Sequence, residues 1–529
     1  MAYHQINYFL FFLPLAALCY QLTPGRHRWK TLLVFNYIFF LFISKKLLVC
    51  LLVSTAFTHY VGLWLRYMKA EHKELLAQTA KEERREMKKQ LKKKERGILL
   101  FGILVHLGML LFFKYTGFLA LNANFLLGVL GVSVKITIPA WAAPVGISFY
   151  TLQAVSYIAD IYLGRLEADV NLGRVALYMS FFPTLMEGPI CRYADTARRL
   201  YEGAPISWEN LTRGSQRIIW GLFKKLVIAD RLDILVKTVF KGYEQYDGAV
   251  VAVAALCYTV QLYAEFSGCM DIVIGSGEVF GIKLPENFRQ PFFSRTASEF
   301  WTRWHITLGA WFRDYIFYPV SMSGFAKNLN REGRKRLGPV YGGIPAAACA
   351  LFAVWLCNGI WHGSGWHYIF FGMYYFVLIL AGNIVEPVAK SLSERWGINR
   401  DCMAYGLWQG IRTFLLVILG ELFFRALSLR AGFVMAGKIF TEFSAASLTG
   451  GVLFDLGLDG RDFAAAACAL LLVFVVDYMH ERGIHIRDKV AGWRLPLRWC
   501  FYYGAIALVI VFGAYGAGYD PVDLIYAGF

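Results

Sequence analysis

Residues 346–385 read AAACALFAVWLCNGIWHGSGWHYIFFGMYYFVLILAGNIV. The run carries no Asp, Glu, Lys or Arg. A helix rises about 1.5 Å per residue and a bilayer's hydrocarbon core is about 30 Å thick, so this run is long enough for two spans. It decides the fold class: an all-α, multi-spanning helical membrane protein. The composition agrees. The 529 residues are 57% hydrophobic and only 17% charged, against about 25% charged in an ordinary soluble protein. Mean hydropathy is +0.46. The aromatic share is 17%, which suits spans and the belts at the two membrane surfaces.

Working outward, apolar runs recur along the chain at 6–22, 31–43, 47–65, 98–118, 140–163, 172–190, 218–239 and 249–266. They continue at 341–356, 369–385, 407–424, 463–478 and 499–515. They predict roughly 11 to 13 membrane segments in a single domain over 1–529. Residues 8–18 have the length of a signal-peptide core, but no Lys or Arg precedes them, so an uncleaved span is expected. The run 172–190 is a poor simple span, because it holds Pro183, Glu187, Gly188 and Pro189. Proline removes a backbone donor, and in lipid such backbone has to be buried in protein or line a cavity. Residues 182–192 are therefore read as re-entrant or cavity-lining.

The net charge of +17 collects between apolar runs. Residues 69–96 hold eleven Lys and Arg against six Glu, and 327–336 hold five basic residues and one Glu. Positive loops stay on the cytoplasmic side of a membrane. These are read as cytoplasmic loops, with membrane lipid as neighbour and no nucleic-acid partner. The insert 66–97 is rich in helix formers. It reads as a solvated cytoplasmic hairpin, with docking to a partner or to anionic lipid as the alternative. The ten cysteines form no CxxC pair, so neither a disulfide framework nor a zinc site is expected.

Two of the ten histidines sit among polar and aromatic residues. His305 lies in EFWTRWHITL at 299–308, which runs on to Asp314. That stretch reads either as a site helix or as an interfacial anchor whose Arg303 and Arg313 face headgroups. His362 lies in NGIWHGSGWH at 358–367, inside the uncharged run. A neutral imidazole in an apolar site accepts a proton from a hydroxyl and so suits general-base work. The bland alternative is a satisfied core histidine. His362 and His367 are five apart and do not share a helix face, which argues against a metal pair. No HExxH, GxSxG or Walker A pattern is present.

Together the stretches LPENFRQPF at 284–292, 299–314 and Trp361-His362-Gly363 resemble the membrane-bound O-acyltransferase family. The likeness is to its bacterial branch for alginate and exopolysaccharide O-acetylation and D-alanyl transfer to teichoic acid. YAEFSG at 263–268, PVGISF at 144–149, 182–190 and YGAGYD at 515–520 fit the same pattern. The resemblance implies a fold around a central tunnel, His362 as the catalytic residue and His305 as the second functional position. It further implies a hydroxyl acceptor and a thioester donor arriving from the cytoplasm, either acetyl-CoA or an acyl carrier protein conjugate, used as substrate with no bound cofactor or metal. An extracytoplasmic transferase is an implied partner. Asn358, Trp361, Trp304, Arg303, Glu265, Ser267 and Asp314 are candidates for lining the tunnel or binding substrate. The family usually has Asp where Glu265 stands and Tyr-Ser where Cys269-Met270 stand, which bears on the acceptor. Acetyl transfer to a cell-envelope polysaccharide is the first expectation. The alternatives are D-alanyl transfer, a non-catalytic acyl relay or a transporter. No paired repeat of the kind transporters often carry is found.

Overall fold

The computed structural model describes residues 2–138 and 143–515. Among these, the regular structure is helical, with no strand and one isolated antiparallel bridge between Phe288 and Trp304. The all-α expectation holds. Among the described residues, eight helices are long and apolar enough to cross a membrane: Leu48–Gln78, Arg84–Val129, Gly248–Val279, Ile344–His362, Trp366–Arg395, Met403–Arg425, Gly460–Glu481 and Leu495–Phe512. A shorter apolar helical stretch covers Asn7–Leu22. Their outward faces carry exposed Leu104, Phe125, Leu471 and Val511, as suits a hydrocarbon solvent. The start of the run at 140–163 and the motif residues 516–520 lie outside the described residues.

The chain divides into two compact units. In the first, helix Ile147–Leu163 is buried on every side through Ile161, as an apolar core helix is. The helices flanking the basic insert continue straight through it. Leu48–Gln78 and Arg84–Val129 leave only 79–83 between them, and His72 Nδ1 meets Glu95 Oε1 at 2.8 Å across the pair. The insert is thus a helical hairpin. Over 172–190 the helix breaks as the prolines require, into Leu172–Ser180 and Phe182–Leu185. Side chains satisfy the freed backbone. Asn36 Oδ1 accepts from the Phe182 amide at 3.0 Å. The Tyr3 hydroxyl donates to the Phe182 carbonyl at 2.7 Å and accepts from the Met186 amide at 3.1 Å.

In the second unit, Ile344–His362 and Trp366–Arg395 form a hairpin whose turn is only 363–365. Two glycines let the helices touch backbone to backbone. A Cβ on Gly372 would run into the Trp355 carbonyl, and one on Gly359 would come within 2.5 Å of the Tyr368 carbonyl. Small residues at membrane-helix contacts allow this approach. It fixes where the hairpin's last residue, His362, sits.

The same unit buries a network of charge. Lys225 is 0% exposed, and its Nζ lies 3.0 Å from Glu265 Oε1 and 2.8 Å from Asp230 Oδ1. Next to it, Lys224 Nζ meets Asp271 Oδ2 at 2.6 Å and Ser267 Oγ at 2.8 Å. Arg217 Nε reaches the other oxygen of Asp271 at 2.9 Å. A buried charge is tolerated when it is paired in this way.

Two outcomes follow. Gly372→Ala lowers the melting temperature of the purified protein, at a cost of about 1–3 kcal/mol from overpacking. Gly382→Ala on the same helix, where a Cβ meets nothing within 4 Å, leaves it unchanged or raises it. Equal melting of the two variants would remove the close approach as a constraint. Lys225→Met strands two buried carboxylates and costs about 3–5 kcal/mol, read as loss of the monodisperse peak in detergent chromatography. Glu86→Gln, in an exposed pair with Lys89, shifts stability by less than about 0.5 kcal/mol.

Candidate active site

Asn287, His305 and His362, from three of the motif stretches, come together within the second unit. Residues 287–289 lie alongside 303–306. The Arg289 amide donates to the Arg303 carbonyl at 2.9 Å, and the Ile306 amide donates to the Asn287 carbonyl at 3.0 Å. The stretch around His305 is not one amphipathic helix. It is two short helices, Ala297–Arg303 and Ile306–Phe312, broken at Trp304 and His305. His305 takes the left-handed conformation, φ +48°, at the start of the second helix, which an L-residue other than glycine adopts at some cost. The break turns the imidazole into the protein, where it is 1% exposed.

The His305 ring packs edge-on against Phe266, with centroids 4.8 Å apart, and lies 5.8 Å from Trp361. Trp361 in turn lies 5.1 Å from His362. One indole therefore stands beside both imidazoles. His362 is the last residue of its helix and is 3% exposed. Its ring is flanked by Phe371 at 5.8 Å and Phe424 at 5.1 Å, both near perpendicular. Asn358, one helical turn before His362, falls on the same helix face. It is buried, and its Oδ1 has no hydrogen-bond partner among the described residues.

His305 lies between the short helices, outside the eight spans. Burial takes its pKa down to about 3, since desolvation disfavours the charged ring. The sign is that of a base kept neutral: only strong acid would protonate it. Its Nδ1 faces Asn287 Oδ1 at 3.3 Å. That oxygen also accepts from the Thr307 amide at 3.0 Å and the Thr307 hydroxyl at 2.9 Å.

The other candidates fall in different places. Trp304 is buried in an aromatic cluster with Phe288, Phe300 and Tyr263. Arg303 pairs with Glu299 at 2.8 Å and Glu481 at 2.7 Å, which ties its helix to Gly460–Glu481. Asp314 pairs with Arg313 at 3.2 Å in the partly exposed π-helical segment Arg313–Phe317. Glu265 and Ser267 face the lysine network, because they flank Phe266 on a helix and so point about 100° to either side of it. The sequence reading did not single out Asn287, Phe266, Phe371, Phe424 or the Lys224-Lys225 pair. The lysines did leave a signal, since two adjacent charges within an apolar run need partners.

Comparison with known proteins agrees with the motifs. Residues 35–330 match the membrane-bound O-acyltransferase family. The chain is 31% identical to the probable alginate O-acetylase AlgI of Pseudomonas syringae pv. tomato, over 84% of this chain and 77% of that protein. It is 29% identical to the peptidoglycan O-acetyltransferase of Helicobacter pylori, over 52% of this chain and 53% of the relative. It is likewise 29% identical to the teichoic acid D-alanyltransferase of Bacillus subtilis, over 47% of this chain and 62% of the relative. An all-helical membrane chain that matches over this length, with His305 and His362 brought to either side of Trp361, belongs to the membrane-bound O-acyltransferase family.

Proposed function

We propose that this O-acyltransferase moves an acetyl group from a thioester towards hydroxyls of a cell-envelope polysaccharide, with His362 as the general base. The observation that carries the reading is the pair of buried imidazoles flanking Trp361, delivered by two separate motifs. His362 takes the proton of the attacking hydroxyl as its oxygen adds to the thioester carbonyl. The C–S bond then breaks, and the leaving thiolate takes that proton from the imidazolium. Charge growing on the carbonyl oxygen needs a donor aimed at it. The side-chain amide of Asn358, on the same face of the helix, is well suited to supply one. The apolar walls of Phe371 and Phe424 help to exclude competing water.

In this reading the donor is acetyl-CoA or an acyl carrier protein thioester, met on the cytoplasmic face of the inner membrane. The hairpin over 69–96 and the basic residues at 327–336 sit on that face, as the positive-inside rule favours. A central tunnel would let the acyl group cross, with the acceptor or an extracytoplasmic transferase on the far side. The longer match to alginate O-acetylase than to teichoic acid D-alanyltransferase favours acetyl over D-alanyl.

The test is the ester content of the cell envelope in a strain lacking this protein, complemented with wild type or with His362→Ala. Mild base releases the esters, and mass spectrometry identifies the acid. Wild type restores acetate, and His362→Ala at equal membrane abundance lowers it by about 10²–10⁴-fold. Restored D-alanine in place of acetate would move the protein to the other donor class. Full restoration by His362→Ala would remove His362 from catalysis and return the acyl relay and the transporter to consideration.

A further inference from the structure

The contacts of Asn287 bear on which nitrogen of His305 carries the hydrogen. Asn287 is 0% exposed and is held at both ends. Its carbonyl accepts from the Ile306 amide at 3.0 Å, and its side chain closes onto the next turn. The orientation of an asparagine amide has to be assigned from its partners. Here one partner admits a single answer. The Thr307 backbone N–H, 3.0 Å away, is always a donor, so the atom facing it is the oxygen. The reversed amide would set NH₂ against N–H in a buried site. The other end agrees, with Asn287 Nδ2 lying 3.3 Å from the sulfur of Met270, a weak acceptor that suits a donor.

With Oδ1 fixed as an acceptor, the His305 nitrogen facing it at 3.3 Å has to donate. We infer that Asn287 is a positioning residue that locks His305 as the Nδ1–H tautomer, so that Nε2 presents a lone pair rather than an N–H. Three donors share the one oxygen, which accounts for the imidazole bond being the longest of the set.

The consequence for chemistry rests on the proposed acyl transfer. A neutral His305 of this tautomer accepts at Nε2 and cannot donate there. It therefore serves the hydroxyl-bearing acceptor, taking a hydrogen bond from an O–H, and does not stabilise the carbonyl oxyanion. The donors for the oxyanion belong to other groups. The two imidazoles then have related tasks: His362 takes the proton that is transferred, and His305 orients the acceptor through a hydrogen bond.

The test reads the tautomer directly. Wild-type protein, labelled with ¹⁵N at histidine and held in detergent, is compared with His305→Gln to assign the His305 signals. The expected pattern is a protonated Nδ1 and an unprotonated Nε2 at neutral pH. A protonated Nε2 would overturn the lock. Asn287→Asp keeps an acceptor for both Thr307 and His305, so it retains the tautomer. Its carboxylate favours the imidazolium, so the midpoint of His305 titration rises above that of wild type. An unmoved midpoint would also overturn the inference. Asn287→Leu removes the acceptor, shifts the signals towards Nε2–H and lowers envelope ester roughly 100-fold or more, as a wrong tautomer does. Should Asn287→Leu fail to fold, the wild-type and Asn287→Asp spectra decide the matter. The expected tautomer in a protein whose His362→Ala variant retains full acylation would leave the lock standing and remove only the mechanism built on it.

Discussion

Inside a bilayer no water is at hand to satisfy a stray polar group, so each one has to find its partner within the protein. That constraint acts most severely at Lys225. An ammonium with no exposed surface is kept in the interior by Glu265 and Asp230, and each of those carboxylates depends on it in turn. Lys224, Asp271 and Arg217 extend the arrangement along the same faces. Charges paired in this way do little for net stability compared with an apolar core of the same shape. What they do is penalise every alternative register. A helix that slid by one residue would separate the pairs and leave several charges alone. Helix Gly248–Val279 is thereby held in one rotation, and that rotation aims Phe266 at His305.

The same constraint explains why Glu265 and Ser267 are not beside the imidazoles although their neighbour is. Three successive residues on a helix point in three directions. If Phe266 packs on His305, its neighbours face the lysines. The Glu in place of the family's usual Asp has a physical reading here. The longer side chain reaches Lys225 Nζ at 3.0 Å, so the departure tunes an ion pair and does not reshape the walls around His362.

Much of this was legible in the sequence, and the limits have physical causes. Apolar runs located the membrane helices, but hydropathy marks the edge of the bilayer and not the end of a helix. The run at 47–65 ends where charge begins, whereas the helix continues to Gln78, because Lys and Glu are good helix formers once a span has nucleated the turn. Pro183, Gly188 and Pro189 foretold the break over 172–190. They did not foretell that Tyr3 and Asn36, far away in the chain, would satisfy the broken backbone. The motifs pointed to His305 and His362 and could not show that Trp361 stands beside both. The stretch over 299–315 looked like a single helix, since nothing local announces that His305 will adopt a positive φ. Asn287 was quoted within its motif and given no task, because its task exists only when the 303–307 turn folds over it.

Burial gives the two histidines a common character. A carboxylate beside an imidazole makes it a stronger base but also tends to charge it. A side-chain amide orients the ring without adding charge. Asn287 is neutral, and its oxygen is fixed by a backbone N–H that cannot be anything but a donor. Asn287 thus orients the His305 ring while leaving its electrostatics to the surrounding rings. For acyl transfer to a hydroxyl this is a coherent solution. Under the proposed mechanism the proton lost by the nucleophile would be regained by the leaving thiolate, so the reaction would need no lasting store of charge. It needs a neutral acceptor of protons held in one orientation, in a place that water does not enter. Phe266, Phe371 and Phe424 provide the dry walls. The left-handed turn at His305 and the close-packed hairpin ending at His362 provide the orientation.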